Sequence, residues 1–307
     1  MARELSLPVM GTTADIIVVG GPFRMAKAGA ERLIDLQARW SRFEPSSELC
    51  QLNNRSGQFT VVSPETYQLI AEAVSGWWRT DGRYDPTVIG AMQRAGYDRP
   101  FEELATLVEL PQAASPQKVK PTPGCAEIAL LAEAGAVFLP KRVGLDLGGI
   151  AKGFAADIVV KELIDAGARG ACVNIGGDAA VAGEPPSAAG WIVEIAPASR
   201  ATGAPRSVAL ERGAICTSTV TKRTWATNQG DKHHLIDPTN STPASGDVAS
   251  ATVLAARAVD AEVATKDALL RHSDDAARTL ESQGLAAVIV TTSGAVIDVG
   301  PIAQFAA

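Results

Sequence analysis

Three stretches of this chain carry side chains whose types and spacing could do chemistry. The first holds Asp146, Gly148, Gly149, Lys152 and Asp157, followed by Asn174, Gly176, Gly177 and Asp178. A glycine turn that feeds a helix start offers free N–H groups to an anion. Lys152 and the helix dipole add positive charge at that point, so a phosphate suits it. The Gly-Gly-x-x-Lys-Gly spacing matches neither the Walker loop nor the dinucleotide fingerprint. A glycine pair alone is usually a tight turn, but polar groups this dense within one supersecondary unit point to a site.

The second stretch contains His233, His234, Ile236 and Asp237, and so two of the three histidines in the chain. His234 lies at an apparent strand end before a turn, where a lone histidine usually has a structural role. Upstream, Cys216, Thr217, Ser218 and Arg223 offer hydroxyls and a cation to a phosphate. The third stretch holds Asp260, Glu262, Thr265, Lys266 and Asp267. On a helix, Glu262 and Lys266 share one face, which makes them either an ion pair or part of a charged site.

Elements must position these groups. Val143 and Leu145 read as the end of a strand, and Ile150, Phe154, Ile158, Val159, Leu163 and Ile164 as one buried face of a helix that Gly167 and Gly170 stop. Residues 171–175 read as a strand. Residues 8–19 alternate around Ile16 and Val18 as a first strand. Phe23–Trp40 reads as a helix with Ala30, Leu33, Ile34 and Leu36 inside. Ser47 caps a short turn that ends at Asn53 and Asn54. Ser63 and Pro64 start a helix with Leu69, Ile70, Ala73, Val74 and Trp77 inside, and Trp77 and Trp78 are assigned to the core. Residues 81–98 are loop-rich. Residues 98–124, with Pro100, Pro111, Pro116, Pro121 and Pro123, read as a surface excursion.

Further strands are expected at Trp191–Ile195, 207–210, 214–217 and 251–255, the last followed by a helix packed through Val263, Ala264 and Leu270. Strands without regular βα repetition indicate an α+β protein rather than a doubly wound sheet.

The chain has 307 residues, 46% of them hydrophobic and 20% charged, which is ordinary for a globular protein with a substantial core. A net charge of −6 speaks against nucleic acid or an anionic membrane as partner. The four cysteines form no C-x-x-C pair, so neither a zinc site nor a disulfide framework is indicated. Neither a secretion signal nor an apolar run of spanning length is apparent, so a cytoplasmic location is expected.

The motif DLGGIAKGFAAD followed by VNIGGD resembles the signature of the ApbE-like FAD:protein FMN transferases. Further matches run along nearly the whole chain: MGTTAD from Met10, SRFEPSSELCQLN from Ser41, YDPTVIGAM from Tyr84, CTST from Cys216 and HHLIDP from His233. The resemblance implies a single domain over residues 1–307, with mixed sheets, packed helices and a flavin cleft between two lobes. It implies a transferase that moves FMN from FAD onto a Thr or Ser hydroxyl of an acceptor flavoprotein, releasing AMP. It also implies flavin contacts from Met10, Glu48, Asn53, Tyr84, Asp85, Thr87, Gly148, Gly149, Lys152, Asp157, Asn174, Gly176, Asp178, Ser218, His234 and Ile236. Asp146, Lys152 and His234 would be catalytic.

Relatives hold Mg2+ with an aspartate, a threonine and a backbone carbonyl. By position these correspond to Glu262, Lys266 and Ala151; either Thr265, one residue off, substitutes as a ligand, or Lys266 supplies locally the positive charge a metal otherwise provides. Two further departures are Thr217-Ser218-Thr219 for TSG and Asp237-Pro238-Thr239-Asn240-Ser241 for DPRTG. They remove a phosphate-binding arginine and two glycines. These changes keep open a flavin carrier without transfer activity, or an FAD pyrophosphatase.

Overall fold

The structure is a computed structural model that describes residues 2–105, 120–195 and 206–307. Pro111 and Pro116 of the proline-rich stretch lie outside the described residues. Eight α-helices occur among the described residues: α1 (Phe23–Trp40), α2 (Glu48–Asn54), α3 (Pro64–Arg79), α4 (Ile89–Arg94), α5 (Phe101–Ala105), α6 (Ala151–Asp165), α7 (Ala258–Leu269) and α8 (Ser273–Ser282). None of them is long and apolar enough to cross a membrane. With antiparallel sheets beside them, the chain is α+β as expected.

The chain divides into two compact units. The first comprises Met1–Gln37, Ala151–Thr219 and Gly246–Ala307. Its frame is an eight-stranded sheet in the order Ala2–Val9, Thr12–Val19, Gly170–Ile175, Asp178–Gly183, Gly213–Thr219, Val248–Ala255, Ala286–Thr291, Val296–Val299. Every neighbouring pair is antiparallel. Alternation assigns the faces. Cys172, Val181, Ile215, Leu254 and Val288 pack under Trp191, Val208 and Leu210 of the hairpin formed by Trp191–Ile195 and Arg206–Leu210. On the opposite face Ile16 meets α1 and α6, and a Cβ at Gly29 would lie 3.2 Å from Val159 and 3.4 Å from Ile16.

Several expectations change in this unit. Residues 8–19 are not one strand but the end of the first arm, the turn and the second arm of a hairpin. Met10 and Gly11 both take positive φ, 53° and 65°, as a two-residue hairpin loop requires. The first arm escaped notice because Arg3, Glu4 and Ser6 break up its apolar signal. Ile34 is 52% exposed, so the inner face of α1 is Ala30, Leu33 and Leu36. Helix α6 is not buried on one face only. It lies between the sheet and α7, so Ala151, Gly153, Phe154, Ala155 and Ala156 are all buried while Ile158 and Ile164 are half-buried.

The second unit comprises Ala38–Ile150 and Val220–Ser245. It holds α2 to α5 and a three-stranded antiparallel sheet in the order Phe59–Val61, Ala136–Phe138, Ala129–Leu131. Met92, Tyr97, Leu104, Trp225 and Ile236 form a core cluster. Ser63 caps α3 through a hydrogen bond that Thr66 N donates to its Oγ, and Pro64 opens the helix as the sequence implies.

Trp78, expected in the core, is 61% exposed; only Trp77 turns inward, against Gly82 and Gly124. Val143 and Leu145 do not end a strand. The Asn53 side chain takes the place of a neighbouring strand: its Nδ2 donates to Leu145 O at 2.9 Å and its Oδ1 accepts from Leu145 N at 2.8 Å. Asp146 N then donates to Pro86 O at 2.7 Å.

Candidate functional site

In the first unit a charged network is buried beneath the Gly176-Gly177 hairpin turn. The turn has φ of 64° and 103°, and Asn174 Oδ1 steadies it by accepting from Gly177 N at 2.9 Å. Asp178 opens the strand beyond it and is 1% exposed. Its Oδ2 accepts from Lys152 Nζ, and its Oδ1 is buried with no hydrogen-bond partner.

Lys152 Nζ also lies 3.1 Å from Glu262 Oε1, and Lys266 Nζ lies 3.2 Å from the same oxygen. Glu262 Oε2 accepts from Gly153 N at 2.7 Å. Burial disfavours ionisation of Glu262, but the two ammoniums outweigh it and hold its carboxyl below the usual range. Two lysines and two carboxylates make the network neutral overall. Lys266 Nζ also donates to Ser218 Oγ at 2.8 Å, and Ser218 Oγ lies 2.7 Å from Thr265 Oγ1. Thr265 Oγ1 donates in turn to Glu262 O at 2.7 Å.

Local structure fixes these positions. Gly153 lets α6 and α7 touch, since a Cβ there would lie 2.5 Å from Ala258 O and 3.0 Å from Val259 N. Asp157 caps α7, accepting from Ala258 N at 2.8 Å and Val259 N at 2.9 Å. Burial pushes its carboxyl up to about 6 against those two donors. Cys216 donates its thiol to Ala258 O at 3.3 Å, and burial raises that thiol well above its ordinary value. Met10 N donates to Gln37 Oε1 at the first hairpin turn. The structure therefore brings Lys152, Asp178, Ser218, Glu262 and Thr265 together, and assigns Asp157 to holding α7.

The other sequence candidates belong to the second unit. Asp146 is committed: its Oδ2 lies 3.2 Å from Arg42 Nε and its Oδ1 accepts from Gly148 N at 2.8 Å. Neither Gly148 nor Gly149 needs a positive φ. Sequence reasoning passed over Arg42, although an arginine next to Phe43 was a signal of stacking. Its guanidinium lies 4.1 Å from the Phe43 ring centroid and 4.4 Å from that of Tyr97, and its Nη1 donates to Tyr97 O at 2.9 Å. Burial raises the Tyr97 phenol, against the pull of Arg223 and Arg42.

Glu48 Oε2 accepts from Ser63 N and Oγ at 3.1 and 2.8 Å. Asp85 Oδ1 accepts from Thr87 N and Oγ1, each at 2.7 Å, and its Oδ2 accepts from Thr122 Oγ1. Tyr84 is buried beside them in sequence. His233 and His234 differ in role. His233 Nδ1 accepts from Leu235 N at 3.3 Å, so Nε2 carries the proton toward Ala244 O at 2.9 Å, and burial lowers the ring's pKa from its ordinary value against that hydrogen bond. His234 is half-buried and follows the short strand Lys232–His233, while Ile236 is buried in the pairing of Ile236–Asp237 with Thr242–Pro243.

A magnesium ion at Ala151, Glu262 and Thr265 does not fit this donor set. Magnesium wants six oxygens in near-octahedral geometry. Glu262 is already held by two ammoniums and an N–H, Thr265 donates its hydroxyl to the helix, and Ala151 starts α6, whose first turn uses its carbonyl. Among the described residues, no three His, Cys, Asp or Glu side chains group to hold a metal.

A broad antiparallel sheet, a Gly-Gly-Asp hairpin and lysines buried against carboxylates beneath it define an α+β protein with a buried charged centre. The chain belongs to the ApbE family, whose profile matches residues 10–289. It is similar to the FAD:protein FMN transferase of Salmonella typhimurium, with 25% identity over 305 residues that cover 95% of this chain and 85% of that protein. To the FAD:protein FMN transferase of Treponema pallidum it is 29% identical over 265 residues, 80% of this chain and 70% of the relative. The ApbE protein of Thermotoga maritima matches in structure with a TM-score of 0.87 at 25% identity, covering 99% of both chains. The flavin transferase ApbE of Vibrio cholerae shares the fold, with a TM-score of 0.80 at 20% identity over 99% of both chains.

Proposed function

We propose that this protein is an FAD:protein FMN transferase. The observation that carries the reading is the buried Lys152–Asp178–Glu262–Lys266 network at the Gly-Gly-Asp turn, in a chain that aligns over most of its length with proteins named for this activity. In the reaction, a Thr or Ser hydroxyl of an acceptor flavoprotein attacks the FMN phosphorus of FAD. A P–O bond forms to the acceptor, the bond from that phosphorus to the bridging oxygen breaks, and AMP leaves with that oxygen.

The chain's own contribution is positioning and charge, as phosphoryl transfer generally requires. Lys152 is the candidate donor to a phosphate oxygen, Asp178 fixes the Lys152 ammonium, and Asn174 holds the glycine turn in shape. Asp178 Oδ1 is buried without a hydrogen-bond partner, so its remaining lone pairs are unused within the network. His234 is the candidate to take the acceptor's proton, as the histidine of the HHLIDP motif that matches the family pattern. Mixing the protein with FAD, with and without acceptor, tests this. AMP that appears only with acceptor supports transfer, AMP with free FMN in its absence points to pyrophosphatase action, and unchanged FAD points to a carrier.

A further inference from the structure

We propose that the Lys266 ammonium excludes a divalent metal from this site by occupying the place beside Glu262 that the ion would take. The inference rests on the proposed flavin-transferase function, deepens it, and states that the protein binds FAD without a metal ion. Lys266 reaches the cluster from one turn beyond Glu262 on α7 and is 8% exposed. Its Nζ is held 3.2 Å from Glu262 Oε1 and 2.8 Å from Ser218 Oγ. An ion bound by Glu262 and Thr265 would have to displace this ammonium.

The displacement is electrostatically unfavourable. Lys152 and Lys266 already balance Glu262 and Asp178, so an added divalent cation would bring two uncompensated charges into a buried site. The one oxygen left over, Asp178 Oδ1, falls far short of the shell magnesium requires. Ser218 and Thr265 complete the ammonium's setting with hydroxyls that hydrogen-bond each other. A lysine also supplies one charge where a divalent ion supplies two. FAD binding is therefore expected to be insensitive to chelators.

Mn2+ titration followed by electron paramagnetic resonance, on the full chain and on Lys266→Thr, tests the assignment, alongside FAD binding by calorimetry in EDTA and in magnesium. Wild type is expected to take up no Mn2+ at concentrations approaching about 1 mM, whereas Lys266→Thr gains one ion per chain. FAD affinity of the wild type is expected to be the same in EDTA and in magnesium. Wild type that binds one Mn2+ as tightly as Lys266→Thr, a folded Lys266→Thr that takes up none, or FAD affinity that rises about tenfold with magnesium would each overturn it. Should FAD bind in neither buffer, the transferase reading falls, while the wild-type Mn2+ titration still decides whether Lys266 excludes a metal.

Discussion

Glu262→Gln is the substitution whose effect follows most directly from the geometry. The side chain is fully buried, its Oε1 accepts from both lysines, and its Oε2 accepts from Gly153 N. Glutamine keeps the size but loses the charge, leaving Lys266 without its carboxylate and Lys152 with Asp178 alone, and its amide NH2 turns a donor toward other donors. Breaking a buried pair by removing one partner costs roughly 3–5 kcal/mol. Lys266→Met removes one ammonium and is expected to cost a similar amount. The double variant removes both charges, so its loss is expected to fall short of the sum by about 1–3 kcal/mol.

Urea unfolding followed by far-ultraviolet circular dichroism gives the four midpoints of the cycle. pH adds a second reading. The Glu262 carboxyl is held below its ordinary 4.5, so its stabilisation is present above that value and is lost as pH falls through the folded one. Glu262→Gln is expected to lack this acid sensitivity. A Glu262→Gln midpoint within about 1 kcal/mol of wild type, or strict additivity in the double variant, would refute the network as a coupled unit.

Gly153→Ala is expected to destabilise although alanine favours helix by up to about 1 kcal/mol, because overpacking against the α7 backbone costs roughly 1–3 kcal/mol; an unchanged or higher melting temperature would contradict this. Asp157 titrates near 6 rather than 3.8. The folded chain thus binds a proton that the unfolded chain has released, and stability falls as pH rises between those values, by up to about 3 kcal/mol. Urea midpoints across that range should slope less in Asp157→Asn, and parallel slopes would show the assignment to be wrong. Asn53→Ala leaves both backbone polar groups of buried Leu145 unpaired, at about 1–3 kcal/mol each. Amide exchange at Leu145 should accelerate, and unaltered protection would count against the bracketing role.

Much of this architecture could be read from the chain, and the parts that could not have identifiable causes. Helices α1 and α3 were legible because their apolar spacing is regular, and Ser63-Pro64 marks the start of α3. The 2–9 strand hid behind polar residues on its outer side, and its turn, Met10-Gly11, lacks the usual Asn-Gly form. Residues 143–147 resemble a strand by composition, yet Asn53, far off in sequence, supplies the hydrogen bonds that a strand would.

Site residues fared similarly. Glu262 and Lys266 could be placed on one face of a helix, but the arrival of Lys152 and Ser218 at the same pair is a tertiary fact. Likewise Asp157 looks like a ligand contact from its company, and its capping role depends on α7, remote in the chain. Arg42 needed the partners Tyr97 and Asp146 before its stacking could be seen.

The transferase reading is tested most directly by intact-mass spectrometry of an acceptor flavoprotein after incubation with this protein and FAD, beside an acceptor whose target Thr or Ser is replaced by Ala. The account predicts one FMN added per acceptor, matched by one AMP released, and no addition to the alanine form. An acceptor of unchanged mass while FAD is consumed to free FMN and AMP, or FAD left intact, would contradict it.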